Sequence, residues 1–283
     1  MRHELFRLPD QRLLSYAEYG DGRGFPVVLC HGIPGSRFQR HPDESIARRA
    51  GVRVIVPERP GYGASSALEG GTVANWADDL AALAEHLGLS RLALAGVSGG
   101  APYALAGAHR LHQRVTRVAL VSGVAPDLLA HRLNPWSRLT LHVAQRNPRA
   151  LGRMLALPAS MAARRPAGYI RLWAWRARSA DRRILALPDV ARVIAEDVPT
   201  ALAQGATGIA RDLCCIMADW DFAPGKIRAP VTIWHGEADR SVPLTCAAKL
   251  ATSLSSAQVI HVPDAGHLVV FELWAAMLAW LVR

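Results

Sequence analysis

The sequence predicts an α/β fold: a mostly parallel central sheet with helices on both faces, plus a helical insertion. Short apolar runs alternate with helical patterns along most of the 283 residues, which is typical of strand–helix–strand units. Runs such as Arg53–Pro57 are apolar and β-branched, as expected for strands covered on both faces. With 51% hydrophobic residues, the chain can also bury a full core.

Seven segments are predicted to be strands. They are Leu13–Tyr19, Pro26–His31, Arg53–Pro57, Arg91–Val97, Val115–Ser122, Val231–His235 and Gln258–Val262. Residues 72–88 repeat apolar side chains every three or four positions, which predicts a helix between two of these strands. Thr72 suits the N-cap of that helix, and Gly88 suits its C-terminal stop. In such a sheet, functional sites form at the carboxyl ends of the strands.

The alternation stops between Asp127 and Leu213. Apolar residues recur there at helical spacing, and residues 127–192 contain 13 arginines against three acidic residues. Prolines are predicted to divide the segment into separate pieces; they are Pro135, Pro148, Pro158, Pro166, Pro188 and Pro199. We therefore predict a core of residues 1–126 and 214–283, and a helical cap of residues 127–213 that lies over the active end of the sheet.

A serine bracketed by glycines lies between a predicted strand and a helix. The letters "GVSGG" at residues 96–100 match G-x-S-x-G in the strand–turn–helix context that this motif requires. Such a turn strains the serine backbone, and bulk two residues away on either side would keep strand and helix apart. Ser98 Oγ would then protrude, and Gly99 N–H would lie at a helix N-terminus. A noncatalytic Gly/Ser-rich turn would match as well, so the interpretation depends on suitable partners.

Two later segments offer an acid and a base. Asp239 follows an apolar strand in "IWHGEADRSVP", and His267 follows the last strand in "IHVPDAGHLVV". In a parallel sheet both lie at the same edge as Ser98, and serine, acid, histidine is the chain order of one known triad architecture. Asp127, beyond the strand Val115–Ser122, is the alternative acid. The G-x-x-D-x-x-V-P spacing favours Asp239.

The turn "CHGIPGSR", which follows the second strand, can present backbone donors to the serine. Because it is rich in glycine and proline, it can hold an N–H group rigidly. We expect the N–H groups of Ile33 and Gly99 to form an oxyanion hole, since Pro34 has no N–H to donate. His31 is predicted to orient this loop through hydrogen bonds rather than to transfer protons.

Taken together, five segments resemble the α/β-hydrolase superfamily, in its serine-nucleophile branch of capped esterases. They are "HGIPGSR", "PERPGYGAS", "GVSGG", "HGEADRSVP" and "DAGHL", and the match covers Leu13–Val124 and Ile216–Arg283. The resemblance implies that Ser98 is the nucleophile, Asp239 the acid and His267 the base. The HG-x-P turn also resembles that of epoxide hydrolases and haloalkane dehalogenases, but those enzymes have an aspartate in place of the serine.

These features predict a serine hydrolase that cleaves a small, largely apolar ester through an acyl-enzyme, without metal or organic cofactor. Carbon–carbon bond hydrolases, lactonases and cofactor-free haloperoxidases use the same triad, and a triad-retaining ligand receptor is a further alternative. Aromatic side chains of the later half either line a pocket or belong to the core; they are Tyr169, Trp173, Trp175 and Trp220. Trp173 and Trp175 are two residues apart, so they cannot share one helix face.

The formal net charge is +10, carried almost entirely by arginine. Such a charge can indicate nucleic acid or an anionic surface, but no basic run or nucleic-acid motif supports either. We predict a small-molecule substrate, no nucleic-acid or membrane partner, and a monomer or homodimer. The N-terminus lacks the apolar run of a signal peptide, and four scattered cysteines form no disulfide framework. A cytoplasmic location is therefore expected.

Overall fold

The computed structural model describes residues 2–125, 133 and 135–283. Within these ranges the strands are β1 Arg2–Arg7, β2 Leu13–Gly20, β3 Phe25–Cys30, β4 Val52–Pro57, β5 Leu92–Val97, β6 Val115–Val121, β7 Val231–Gly236 and β8 Ala257–Val262. They form one sheet in the order β1-β2-β4-β3-β5-β6-β7-β8. Neighbouring strands are parallel from β4 to β8, whereas β2 is antiparallel to both β1 and β4. The predicted fold class is therefore confirmed.

The seven predicted strands are all present, but β1 was not predicted. Its residues, RHELFR, are mostly exposed and include four charged or titratable side chains. It pairs with β2 in an antiparallel hairpin in which Arg7 lies opposite Leu13. Because this edge strand is held by backbone pairing rather than by burial, it lacks the apolar run on which the prediction relied.

Eleven α-helices are found in the described ranges. Five pack around the sheet: α1 Ser45–Arg49, α2 Val73–His86, α3 Ala101–Arg110, α10 Thr245–Ser253 and α11 Val270–Leu281. The other six follow one another between β6 and β7: α4 Pro135–Arg146, α5 Pro148–Arg164, α6 Pro166–Arg176, α7 Ser179–Leu185, α8 Pro188–Ala201 and α9 Thr207–Met217. As predicted, Thr72 caps α2 by accepting a hydrogen bond from Asn75 N–H, and Gly88 follows its end with φ of 63°.

The core has one apolar layer on each face of the sheet. In β5, Leu92 and Leu94 belong to the layer shared with α2 and α3, while Ala93 and Ala95 belong to the layer shared with α11. Because both sets are almost fully buried, β5 is a central strand covered on both sides, as its apolar sequence predicted. This packing gives the turn after β5 a rigid support.

The proline pattern between β6 and β7 was interpreted correctly in part. Pro135, Pro148, Pro166 and Pro188 each begin a helix, where the missing N–H costs nothing. Pro158 and Pro199 instead lie inside α5 and α8, so their prediction as boundaries was wrong. An internal proline removes one backbone hydrogen bond, yet both helices continue past it.

The helices α5 to α9 share an apolar cluster, which includes Ile170, Ile184, Val190, Ile194 and Val198 and is joined by Leu268 from the segment after β8. Asp127, the alternative acid, lies outside the described residues. None of the helices in the described ranges combines the length and the apolar character that crossing a bilayer requires.

Candidate active site

Ser98 lies in a sharp turn between β5 and α3, with a strained backbone. Its φ is 53°, a conformation that non-glycine residues seldom adopt. A Cβ at Gly96 would lie 2.8 Å from Ala101 Cα, and one at Gly100 would lie 2.1 Å from the Cys30 carbonyl oxygen. Both positions therefore require glycine so that strand, turn and helix can pack, which is the steric reason expected from the sequence.

Asp239 and His267 form a direct pair at the ends of β7 and β8. The Nδ1 of His267 lies 2.8 Å from Asp239 Oδ2. The other oxygen, Oδ1, accepts hydrogen bonds from the N–H groups of Ser241 and Val242, at 2.8 and 2.9 Å. With Nδ1–H donated to the carboxylate, the Nε2 of His267 is left as the free, basic nitrogen.

The two loops that carry this pair are also joined through their backbones. Ala238 N–H donates to the Ala265 carbonyl over 2.9 Å. A Cβ at Gly236 would lie 2.4 Å from the Gly266 carbonyl oxygen, so only glycine permits this approach. The separation of acid and histidine is thus fixed by main-chain contacts as well as by their own hydrogen bond.

Burial and charge act in opposite directions on this pair. Burial alone would lower the pKa of His267, but the adjacent Asp239 carboxylate outweighs it, and the pKa lies above its ordinary value. Burial would likewise raise the pKa of Asp239, but the charge of His267 and the hydrogen bonds hold it below its ordinary value. Both shifts favour a charged pair once the imidazole takes up a proton.

A second histidine, His235, lies behind the acid and was not predicted. Its Nε2 is 3.0 Å from the Val242 carbonyl and 3.5 Å from Asp239 Oδ2. Burial lowers the pKa of His235, so it is held in its neutral form. The carbonyl accepts, which places the proton on Nε2 beside the carboxylate.

Ser98 and His267 line one cavity of about 500 Å³, together with Ile33 and Gly99. The wall is largely apolar and includes Tyr169, Leu172, Trp173, Val193, Ile194 and Phe271. Among the described residues, Ser98 Oγ has no hydrogen bond to His267. Catalytic hydrogen bonds are often formed only when substrate is present. The structure thus brings every predicted site residue to one cavity or to its immediate support.

The loop after β3 presents a free backbone donor next to the serine. Within the described part of the chain, Ile33 N–H has no hydrogen-bond acceptor. The Ile33 side chain lies against Gly99, where a Cβ would be 2.5 Å from Ile33 Cδ1. Gly32 N–H donates to Gln39 Oε1 over 2.6 Å, which fixes the peptide just before this donor. Ile33 therefore packs against the residue that follows Ser98, and the N–H groups of Ile33 and Gly99 are the candidates for an oxyanion hole.

His31 and Arg59 hold this loop from beneath. Arg59 donates to the carbonyls of His31 and Gly32, at 2.5 and 2.9 Å, and its own N–H donates to His31 Nε2 over 3.2 Å. These contacts agree with the structural role predicted for His31. Burial and the Arg59 charge lower the pKa of His31, which keeps the ring neutral.

Three buried aspartates between β6 and β7, none of them predicted to have a role, bind the loops around the cavity. Asp181 Oδ1 accepts from Leu268 N–H over 2.8 Å. Asp197 Oδ1 accepts from Ser36 N–H and Oγ, at 2.7 and 2.6 Å. Asp212 Oδ2 accepts from Arg59 Nε over 2.8 Å. A sequence signal existed for Asp197, because it falls on the apolar stripe of α8 with Val193 and Ile194.

The aromatic residues named as possible pocket residues lie in different environments, and Trp173 and Trp175 lie on different faces of α6, as their two-residue spacing predicted. Tyr169 and Trp173 line the cavity, while Trp175 is 78% exposed. Trp220 stacks on Phe222 with ring centroids 5.7 Å apart, away from the cavity. As for metals, no group of three or more histidine, cysteine or acidic side chains suited to hold an ion is found among the described residues.

The family model described as "alpha/beta hydrolase fold" matches residues 26–272, and the chain belongs to this family. A pimeloyl-[acyl-carrier protein] methyl ester esterase of Aromatoleum aromaticum is 29% identical over 231 residues, 77% of this chain and 81% of that protein. The dihydrolipoyllysine-residue acetyltransferase component of the acetoin cleaving system of Pseudomonas putida is 29% identical over 273 residues. This match covers 92% of the chain but only 63% of the relative.

Among solved structures, a thermophilic esterase from Thermogutta terrifontis has a TM-score of 0.70 at 24% identity, over 100% of this chain and 97% of that one. A likeness at this identity concerns the fold alone. Family membership and the esterases and other hydrolases among the relatives support a hydrolase.

Proposed function

We propose that this chain is a serine hydrolase that cleaves small, largely apolar esters. The observation that carries the proposal is the 2.8 Å contact between His267 Nδ1 and Asp239 Oδ2. His267 lines the same cavity as Ser98. A nucleophile in a strained turn, a base in a fixed tautomer and free backbone donors are the parts that acyl transfer needs. The methyl ester esterase among the relatives supports an ester substrate.

In the proposed mechanism, His267 Nε2 takes the proton of Ser98 Oγ as the oxygen attacks the ester carbonyl. Asp239 keeps the imidazole in the reactive tautomer and stabilises the imidazolium that forms. The N–H groups of Ile33 and Gly99 donate hydrogen bonds to the oxyanion; removal of one side-chain donor from comparable sites costs about 3–4 kcal/mol. His267 then protonates the leaving alcohol and activates the water that releases the acid.

The cavity supports a small and largely apolar substrate. Its volume is about 500 Å³, within the usual range for small-molecule sites. Side chains of α4, α6 and α8 complete its wall opposite the sheet, among them Trp136, Trp173 and Ile194. We therefore propose that residues 127–213 act as a cap, and that residues 1–126 and 214–283 form the core domain.

The proposal is tested by covalent labelling together with turnover. A fluorophosphonate should add one adduct to the wild-type protein, mapped to Ser98 by mass spectrometry, and sustained hydrolysis of p-nitrophenyl acetate should accompany it. Ser98→Ala should lose both. The matched control is Ser241→Ala, because Ser241 also lines the cavity; it should keep the adduct.

The alternatives give different results in the same assays. A ligand receptor would give a single burst or no turnover. A lactonase or a carbon–carbon bond hydrolase would prefer a lactone or a β-diketone over the aryl ester by a large factor in kcat/KM. Labelling at full stoichiometry in Ser98→Ala would refute the assignment of the nucleophile.

A further inference from the structure

Asp197 is a buried carboxyl group in the wall of the cavity. It lies on α8, is 6% exposed and lines the cavity beside Val193, Ile194 and Tyr169. Its Oδ1 accepts both hydrogen bonds from Ser36. Its other oxygen, Oδ2, has no hydrogen-bond partner among the described residues. Oδ2 nevertheless retains some exposed surface, because it is absent from the set of fully enclosed polar atoms without a partner. Oδ2 is therefore not fully enclosed, and Asp197 belongs to the wall of the cavity.

No cation of the described residues lies within ion-pair distance of the Asp197 carboxyl, although the charge of Arg40 acts on it from farther away. Within the described ranges, no ion pair involves it: the nearby Arg40 pairs with Glu196 over 2.8 Å, and Arg37 pairs with Glu58 over 2.7 Å. Burying a carboxylate without a counter-charge is costly. Burial is the largest cause that raises the pKa of Asp197, to about 7.

Support of the Ser36 loop does not account for this residue. Both bonds from Ser36 end on one oxygen, and an uncharged asparagine would provide an equivalent acceptor without the cost of a buried charge. What an aspartate adds is a second acceptor oxygen that carries charge. That oxygen interrupts a wall made mostly of apolar side chains, and in such a wall a few polar groups set the orientation of the ligand.

We propose that Asp197 is a recognition site for a hydrogen-bond donor on the substrate, an ammonium or hydroxyl group carried by an otherwise apolar chain. This inference rests on the proposed ester hydrolysis and narrows its substrate class. An ionised carboxylate only accepts hydrogen bonds, so the group it binds must donate. A bound ammonium group would also supply the missing cation.

The test compares esters of equal length that differ only at the end remote from the ester group. Suitable probes are p-nitrophenyl esters of ω-amino, ω-hydroxy and unsubstituted acids of about six to eight carbons, with a parallel series that carries the group on the alcohol side. In one series kcat/KM of the wild-type protein should favour the amino ester over the unsubstituted ester by roughly 10-fold or more. A trimethylammonio ester has the charge but no hydrogen-bond donor. Because the proposed site binds a donor, kcat/KM for this ester should lie below that for the amino ester.

Two variants complete the test. Asp197→Asn keeps an acceptor for Ser36 but removes the charge, and it should bring the ratio of kcat/KM for the amino ester over the unsubstituted ester down to near one. Glu196→Gln is the matched control, because it removes a charge from the next position on α8, where the side chain is exposed and pairs with Arg40; it should keep the preference. A wild-type ratio near one in both series, or an equal ratio in wild type and Asp197→Asn, would overturn the inference.

A measurement on the wild-type protein alone covers the case in which Asp197→Asn does not fold. Hexylammonium should inhibit hydrolysis of an unsubstituted ester more strongly than hexane-1-sulfonate or hexanol does, and equal inhibition by all would count against the site. The preference should weaken as pH falls through about 7, where Asp197 takes up a proton. In the described part of the chain, the charged and titratable groups that act on Asp197 or are acted on by it are Glu58, Arg40, Tyr19 and Tyr169.

Failure of the proposed function gives a different pattern. In that case the wild-type protein would not hydrolyse the unsubstituted ester, or its hydrolysis would survive Ser98→Ala. If the unsubstituted ester is hydrolysed through Ser98 without any preference for a donor, only the role of Asp197 is wrong.

Discussion

At the scale of single residues, His267 is held from two sides. Asp239 binds its imidazole, and Asp181, from α7, binds the N–H of the next residue, Leu268. The Asp181 carboxyl also lies directly against Gly266, where a Cβ would be 2.4 Å from its Cγ. Both carboxylates act to raise the pKa of His267. Helices between β6 and β7 therefore contribute to the position and the basicity of the proposed base.

The first prediction concerns the pH dependence of acylation. His267 must be neutral to accept a proton, and its pKa is raised above the ordinary value of about 6.5. The rate should therefore be low at acid pH, rise through one ionisation above that value, and then level off. We expect this rising limb of the pH–rate profile in kcat/KM for p-nitrophenyl acetate. A profile that is flat from about pH 5 to 8 would mean that histidine is not the base.

Asp181→Asn should move that limb to lower pH without abolishing the plateau. The amide oxygen can still accept from Leu268 N–H, but the charge that favours the imidazolium is gone. Asp264→Asn is the matched control, because it removes an exposed acid from the same loop, and asparagine tolerates its φ of 55°. An identical pH profile in wild type and Asp181→Asn would contradict the influence of Asp181 on His267.

The acid can be assigned by comparing two conservative variants. Asp239→Asn should lower turnover by a factor on the order of 10⁴, because the imidazole would adopt the wrong tautomer. Asp127→Asn should have little effect. Steady-state kinetics with a soluble aryl ester measures both, and the reverse ranking would identify Asp127 as the acid.

At the scale of elements, the fully buried pair of Arg59 and Asp212 connects α9 to the loop after β3. Arg59 Nη2 lies 2.7 Å from Asp212 Oδ2, and Tyr103 OH donates to the other carboxylate oxygen over 2.8 Å. The same guanidinium supports the carbonyls of His31 and Gly32. One ion pair therefore couples a helix of the inserted segment to the peptide before Ile33.

Asp212→Asn should destabilise the fold strongly. Removal of one partner of a buried ion pair leaves an uncompensated charge and costs about 3–5 kcal/mol. Asp78→Asn, which removes the partner of Arg110 in an exposed pair, should cost at most about 1 kcal/mol. Urea unfolding measures both changes in the free energy of unfolding. A similar decrease in the free energy of unfolding for the two variants would show that the buried pair contributes no more to stability than the exposed pair.

The sequence predicted elements better than it predicted contacts between them. The β5 strand, its glycine-bracketed turn and α2 follow from local patterns of size, polarity and capping, and each was correct. The strand β1 was not predicted, because an exposed edge strand has no run of apolar residues. The partners of Asp181 and Asp212 were not predicted for a different reason. Each aspartate binds a residue far away in the chain, and no local spacing of residues encodes such a contact.

At the scale of the whole molecule, the cavity lies between the loops at one edge of the sheet and the helices α4, α6, α8 and α9, and its size should limit the substrate. Each buried acyl methylene contributes up to about 0.8 kcal/mol, so specificity should rise with chain length while space remains. Beyond that length, added carbons must strain the wall or stay in water. A series of p-nitrophenyl esters should therefore show a maximum of kcat/KM at roughly two to eight carbons. A continued rise beyond about twelve carbons would indicate an open groove instead.

The position of the six helices in the sheet order has an evolutionary consequence. Because β6 and β7 are neighbours, the chain leaves the sheet and rejoins it at adjacent strands, so a different set of helices could be grafted there without disturbing strand order. Contacts between these helices and the loops of the site nevertheless restrict such an exchange. Leu268, Ser36 and Arg59 each bind a carboxylate that only these helices supply. A descendant that exchanged the helices to acquire a new substrate would have to inherit acceptors for all three, or lose its hold on the site beneath.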